Sequence, residues 1–142
     1  MKRTQAISEI LDAVKKAVTL EDKVNILRQN DSDTLRYILE LAFHPNVGWQ
    51  LPEGAPPYKP SEVLDTEGRL YHETRTIPLY LSGNRPEITK VKREMLFIGL
   101  LESLYPKDAE LLIAVKDKKV EGLTLDTVNT AFPGLIPNEQ IS

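Results

Sequence analysis

Apolar and polar positions alternate at helical spacing from near the start of the chain. Ile7, Ile10, Leu11 and Val14 form one stripe, with Ser8, Glu9, Asp12, Lys15 and Lys16 turned away from it, the pattern of a helix with one buried face. Thr19 reads as an N-cap, followed by Glu21 and Asp22 in the first turn, where the helix dipole favours carboxylates, and by Val24 and Leu27 on the buried side. Asn30-Asp31-Ser32-Asp33 supplies capping oxygens for a third helix, whose stripe is Leu35, Ile38, Leu39, Ala42 and Phe43. His44-Pro45 is expected to stop it, because proline disfavours helical geometry in the residue before it.

The pattern then lapses. Pro45, Pro52, Pro56, Pro57 and Pro60, with Gly48 and Gly54, predict an extended loop from about 44 to 60, long enough to be functional. Trp49 and Tyr58 are expected to pin it to the body, and a linker between two domains is the alternative. Arg69 to Leu81 reads as a helix kinked or interrupted near Pro78, with a short hairpin as the competing reading because Thr74, Thr76 and Ile77 favour strand. Ser82-Gly83-Asn84-Arg85-Pro86 is a break. Thr89 then caps a helix to about Leu104. Val91, Met95, Leu96, Phe97, Ile98, Leu100, Leu101 and Leu104 make that helix apolar on nearly all sides, which predicts a central, enclosed position. Pro106 suits the first position of a helix running through Leu111, Leu112, Ile113 and Val115 to Lys118. After Gly122, Thr124 can cap a short last helix carrying Leu125, Val128, Ala131 and Phe132, ended by Pro133-Gly134. The expectation is an all-α fold: one domain over 1–142, a compact bundle of six to eight helices with a proline-rich loop.

Composition narrows the chemistry. With 142 residues the chain can bury a real core. There is no cysteine, which removes disulfides, thiolate metal sites and cysteine nucleophiles. Met1, Lys2 and Arg3 lead into an amphipathic stretch rather than an apolar signal core, and no window approaches the roughly 20 apolar residues of a membrane span. These features predict a soluble, cytoplasmic protein that does not engage a membrane. A net charge of −3 weighs mildly against wholesale nucleic-acid binding, although one basic face remains compatible with it.

Catalytic patterns are missing from the sequence. Two histidines, His44 and His72, are too few for a histidine metal site. His44 sits at a helix end, where a cation complements the dipole, and His72 reads as a surface residue. No glycine spacing fits a dinucleotide or phosphate loop, and Gly-x-Ser-x-Gly does not occur. The local carboxylate pairs, Glu21 with Asp22, Asp31 with Asp33 and Asp108 with Glu110, fall at predicted helix starts, where capping explains them. The expectation is no enzyme, no cofactor and no metal.

Two basic clusters remain. Lys90, Lys92 and Arg93 occupy the opening turn of the apolar helix, where backbone N–H groups and three cations would suit a phosphate; a solvated turn balanced by Glu87 and Glu94 is the plainer account. Lys116, Lys118 and Lys119 lie at a helix C-terminus, which cations favour in any case. Together with the helix start at Thr124 they could also meet a DNA backbone.

The stretch from Leu112 to Lys119, then Gly122-Leu123-Thr124-Leu125 and Val128 to Pro137, resembles the close of the N-terminal DNA-binding domain of ATP-dependent DNA ligases, especially those of tailed phages. Ile10-Leu11, Lys23, Ile26-Leu27, Asn30-Asp31 and Leu35 through Phe43 are similar to the opening helices of that domain. The resemblance covers both ends of the chain and not His44 to Arg85. The ligase signature Lys-x-Asp-Gly is absent; Lys119-Val120-Glu121-Gly122 comes nearest to it. The resemblance therefore implies a stand-alone, non-catalytic relative of the domain, a small phage protein acting in the cytoplasm of an infected bacterium. It would bind double-stranded DNA independently of sequence, through backbone and minor-groove contacts. Lys116, Lys118, Lys119, Gly122 and Thr124 carry over from the motif, and Lys90, Lys92 and Arg93 are added for their chemistry. The alternative is a protein-interaction adaptor for a phage replication or host protein such as a sliding clamp or polymerase, with Trp49 and Tyr58 at the contact.

Overall fold

Hydroxyl side chains start four of the helices. In the computed structural model, which describes residues 5–137, Thr19 Oγ1 accepts a hydrogen bond from Asp22 N at 3.1 Å and Ser32 Oγ accepts from Leu35 N at 3.0 Å. Thr89 Oγ1 accepts from Lys92 N at 3.1 Å and Thr124 Oγ1 from Thr127 N at 3.2 Å. Each bond satisfies a backbone donor that a helix start leaves open. Residues 1–4, which include the Met1, Lys2 and Arg3 that bear on a targeting segment, and 138–142 lie outside the described residues.

The described chain is all-helical. Its elements are α1 (Ile7–Lys16), α2 (Leu20–Gln29), α3 (Asp33–Phe43), α4 (Arg69–Glu73), a 3-10 helix (Thr74–Tyr80), α5 (Lys90–Ser103), α6 (Pro106–Lys116) and α7 (Leu125–Ala131). They form a compact bundle with no strand among the described residues, as the apolar spacing predicts. The one β-type pairing is an isolated antiparallel bridge between Trp49 and Leu81. No described helix is long and apolar enough to cross a membrane.

The stripes close on one core. Ile7, Ile10, Leu11 and Val14 of α1 meet Val24 and Leu27 of α2, with Leu35, Ile38 and Leu39 of α3 and Leu112 and Val115 of α6 in the same cluster. α2 lies between α1 and α7. Arg28 on α2 closes the far end of α7, donating from Nε to Ala131 O at 3.1 Å and from its terminal nitrogen to Thr130 O at 2.8 Å. The loop after α3 folds back on the body, with Val47, Trp49, Leu51 and Tyr58 packed partly buried against the core.

Arg69 to Tyr80 is helical, not a hairpin, and the α-helix is interrupted by a change of helix type at Thr74, four residues before Pro78. Pro78 has no N–H and its ring would meet the carbonyl of Thr74 in α geometry, so the chain tightens into the 3-10 form from Thr74. Residues three apart eclipse in that form, which puts Ile77 and Tyr80 on the core side. Tyr80 stacks edge-on against Phe97 of α5 at 5.2 Å. Burial, with Glu73 adding to it, pushes its hydroxyl up to about 12.

α1 begins without a capping side chain of its own, since its N-cap is Ala6. Two carboxylates compensate: Glu9 Oε1 accepts from Ala6 N at 2.9 Å, and Asp108 Oδ1, on α6, accepts from Ser8 N at 2.9 Å. Asp108 is fully buried, and its Oδ2 and the Ser8 Oγ have no hydrogen-bond partner among the described residues. Burial raises its pKa, against the lowering by Ser8, while Glu9 and Glu67 raise it further. A carboxyl with a raised folded pKa contributes stability in acid that is lost as pH rises through that value. Asp108→Asn keeps an acceptor for Ser8 N–H without the charge. Its stability relative to the natural chain should therefore improve as pH rises from below the ordinary aspartate value through the raised one, measured by denaturant unfolding across the acid range. A flat difference would mean that this carboxyl does not carry the pH dependence.

Candidate functional site

The basic turn after α6 is built into the scaffold. α6 stops at Lys116, two residues before the expected Lys118, because Lys118 takes a left-handed backbone (φ 58°). Lys118 N donates to Val115 O at 3.1 Å and Lys119 N to Ala114 O at 2.8 Å, the pair of bonds that closes a helix through a left-handed residue. Lysine thus stands where glycine is usual, at a backbone cost of about 1–2 kcal/mol.

The ammonium groups in this turn point inward or onto a partner. Lys116 Nζ donates to Pro52 O at 2.8 Å, to Gly54 O at 3.1 Å and to Asp117 Oδ1 at 2.6 Å, with its side chain only 2% exposed. Lys118 Nζ donates to Leu41 O at 2.8 Å and His44 O at 3.3 Å, and desolvation lowers its pKa. It is therefore Lys118, not the His44 imidazole, that brings a cation to the C-terminus of α3. The His44 ring instead accepts from Asn46 N through Nδ1 at 3.0 Å. Lys119 pairs with Glu53 at 2.8 Å, which holds its ammonium pKa above the ordinary value.

Gly122 (φ 83°) packs against α1: a Cβ there would lie 2.6–2.8 Å from Lys15 Cβ, Cγ and Cα. Beside it Glu121 pairs with Lys15 at 2.8 Å, lowering the carboxyl's pKa and raising the ammonium's. Thr124 is occupied as the cap of α7.

The second basic cluster divides. Arg93 is buried, and its guanidinium donates from Nε to Leu79 O at 3.0 Å and from a terminal nitrogen to Arg85 O at 2.8 Å, tying α5 to the 3-10 helix and the turn that follows. Lys90 and Lys92 are exposed in the first turn of α5, and neither has an ion-pair partner among the described residues. Of the seven cations and caps above other than Gly122, these two lysines alone present an unengaged charge to solvent. Trp49 and Tyr58 are half-buried anchors of the loop, and burial pushes the Tyr58 hydroxyl up.

α5 is not enclosed as its composition predicts. Arg93, Phe97, Leu100 and Leu101 face the core, while Val91 and Met95 are 68% and 64% exposed and Leu96 lies at 36%. Val91, Met95, Ile98 and Glu102 follow one another at i, i+4, i+7 and i+11 along the outer face, with exposed Gly99 beside them. A Cβ on Gly99 would meet no atom within 4 Å. The sequence signal for this face was present. A helix apolar on nearly all sides has more apolar positions than one core contact uses, and a mid-helix glycine costs about 1 kcal/mol. Beneath the proline-rich loop, Leu51, Ala55, Pro56, Pro57, Phe97 and Ile98 line a small apolar cleft of about 280 Å³ that borders the same helix.

No group of three or more His, Asp or Glu side chains among the described residues is arranged to hold a metal ion. No curated protein and no solved structure matches the chain. The family model that does match runs from Ile10 in α1 to Gly122, so it takes in α5, α6 and the turn between α6 and α7: the chain belongs to the family of unknown function DUF6433, matched over residues 10–122.

Proposed function

We propose that the protein is a non-catalytic interaction module whose contact surface is the outer face of α5. The observation that carries this reading is the exposure of Val91 and Met95 on one helix face. Apolar side chains scattered singly are ordinary on a surface, whereas a contiguous set along a helix favours a partner. This moves the contact from Trp49 and Tyr58, which hold the loop down, to Val91 and Met95, whose side chains stand mostly exposed. A photoreactive amino acid at position 95, in the organism's own cytosol, should give a discrete protein adduct. The same probe at Glu21, exposed on α2, should give none. Equal labelling at both positions, or no adduct at 95, would remove the face from the proposal.

Sequence-independent duplex binding by a ligase-like domain is the second reading. One observation favours it: Lys90 and Lys92 stand exposed, without an ion-pair partner among the described residues, at the N-terminus of α5, where N–H groups and cations suit a phosphate. Four of the cations first considered, Arg93, Lys116, Lys118 and Lys119, are committed to carbonyl or carboxylate partners, which leaves this reading the weaker support. Fluorescence anisotropy on intact and nicked duplexes should show binding that falls steeply with salt if it holds. Loss in the double variant Lys90→Glu plus Lys92→Glu would assign the contact. Binding absent even at low salt would end the reading.

A further inference from the structure

We infer that the occupant of the α5 face is a second copy of this chain, packed with its α5 antiparallel to the first. This inference rests on the reading of that face as a contact surface, and names its partner. Three observations lead to it.

The first is polarity along the helix. Lys92 stands at the N-terminal end of the face and Glu102 at the C-terminal end, both exposed. The face therefore carries opposite charges at its two ends. Such a surface complements itself only when a copy is turned end for end.

The second is register. In an antiparallel pair with its twofold axis level with position 97, residues whose numbers sum to 194 stand opposite each other. Met95 then meets Gly99 of the second copy, and Lys92 meets Glu102 of the second copy. By symmetry both contacts occur twice. One alignment thus satisfies the apolar centre and the charged ends together.

The third is Gly99 itself. It sits mid-helix at an exposed position, and no atom approaches the site where its Cβ would be. Its own fold gives no steric reason for glycine there. A neighbouring helix carrying a long, flexible side chain such as Met95 does, because glycine lets helix backbones approach closely.

The contact is small. α5 has 14 residues, about 21 Å of helix, and one helix pair covers less than the roughly 800 Å² per partner of a standard interface. The dimer is accordingly weak and in reversible exchange with monomer.

The experiment is sedimentation equilibrium of the full chain from about 10 µM to 1 mM, the range in which small interfaces associate. The natural chain should show a monomer–dimer equilibrium. Lys92→Glu alone and Glu102→Lys alone should each weaken it about tenfold or more, since each replaces two attractions by two repulsions. An equimolar mixture of the two variants should recover the affinity as a heterodimer, because one pair reforms with its signs exchanged and the other in its natural form. Glu102 also accepts Lys59 N at 2.9 Å, so thermal melts of both variants accompany the measurement, and Met95→Asp supplies a loss that leaves Glu102 intact. A natural chain monomeric throughout overturns the second copy as occupant, while the adduct at position 95 still decides whether the face binds anything. A dimer indifferent to the single reversals and to Met95→Asp, or a mixture that fails to recover, overturns the antiparallel α5 pairing.

Discussion

Replacing Lys116 by alanine should cost about 3–5 kcal/mol, the range for removing one partner of a buried ion pair, and lower the melting temperature by on the order of 10 °C. The geometry explains why this lysine outweighs its neighbours. Its ammonium is the hub of a bonded set: the carbonyls of Pro52 and Gly54 and the carboxylate of Asp117 all accept from it. Asp117 in turn accepts Gly54 N at 3.0 and 3.2 Å. The pair therefore grips the proline-rich loop from both sides of the same residue. Without the ammonium, two carbonyls and a largely buried carboxylate lose their donor together. Lys116→Met, which keeps the stem and removes only the charge, should recover a small part of the loss by filling the space. A double variant with Asp117→Asn should recover more, since it also removes the stranded charge. Lys119→Ala should cost little by comparison, because its pair with Glu53 is exposed on both sides. Denaturant unfolding of the four variants separates these cases. A Lys116→Ala chain as stable as the natural one would mean that the loop is not held by this pair.

Much of the architecture could be read directly from the chain because it depends on local rules. The caps at Thr19, Ser32, Thr89 and Thr124 follow from hydroxyls placed just before apolar periodic runs. The stop at His44-Pro45 follows from proline sterics. The readings that changed depended on contacts far apart in sequence. Nothing near Lys116 announces that Pro52 and Gly54 will come within hydrogen-bond reach, 64 and 62 positions away. Lysine near a helix C-terminus is favourable on the surface too, so the local rule gives the same answer whether the side chain is buried or solvated. The same holds for Asp108, which lies in the first turn of its own helix and caps a different one. For α5 the local pattern alone predicts too deep a burial. Its apolar residues outnumber those one core face can take, and the surplus marks a second face rather than deeper burial. The end of α6 was missed because a non-glycine residue in the left-handed region leaves no mark in the sequence.

Gly122 provides the other large expected effect, and it bears on one of the residues for which the proposed duplex-binding reading would assign a DNA contact. Gly122→Ala should destabilise the fold by about 2–4 kcal/mol, from two additive sources. The backbone at φ 83° is in the region that L side chains rarely adopt, which alone costs about 1–2 kcal/mol. The added Cβ would also fall 2.8 Å from Lys15 Cα, and a backbone atom in the last turn of α1 cannot move aside as a flexible side-chain end can. α1 or the turn between α6 and α7 would have to shift. That shift would disturb the pair of Lys15 with Glu121 and the long bond from Lys23 Nζ to Gly122 O at 3.4 Å, both exposed and individually weak. Gly134 (φ 84°) provides the control: it shares the left-handed backbone but has nothing within 4 Å of its Cβ position. Gly134→Ala should therefore show the conformational cost alone, and the difference between the two variants isolates the clash with α1. Thermal and denaturant unfolding measure both. If Gly122→Ala cost no more than Gly134→Ala, the close approach to Lys15 would not restrict this turn, and its glycine would be explained by backbone conformation only. If the difference is as large as the contact distances imply, the glycine is required by packing against α1, and no DNA contact is needed to account for it.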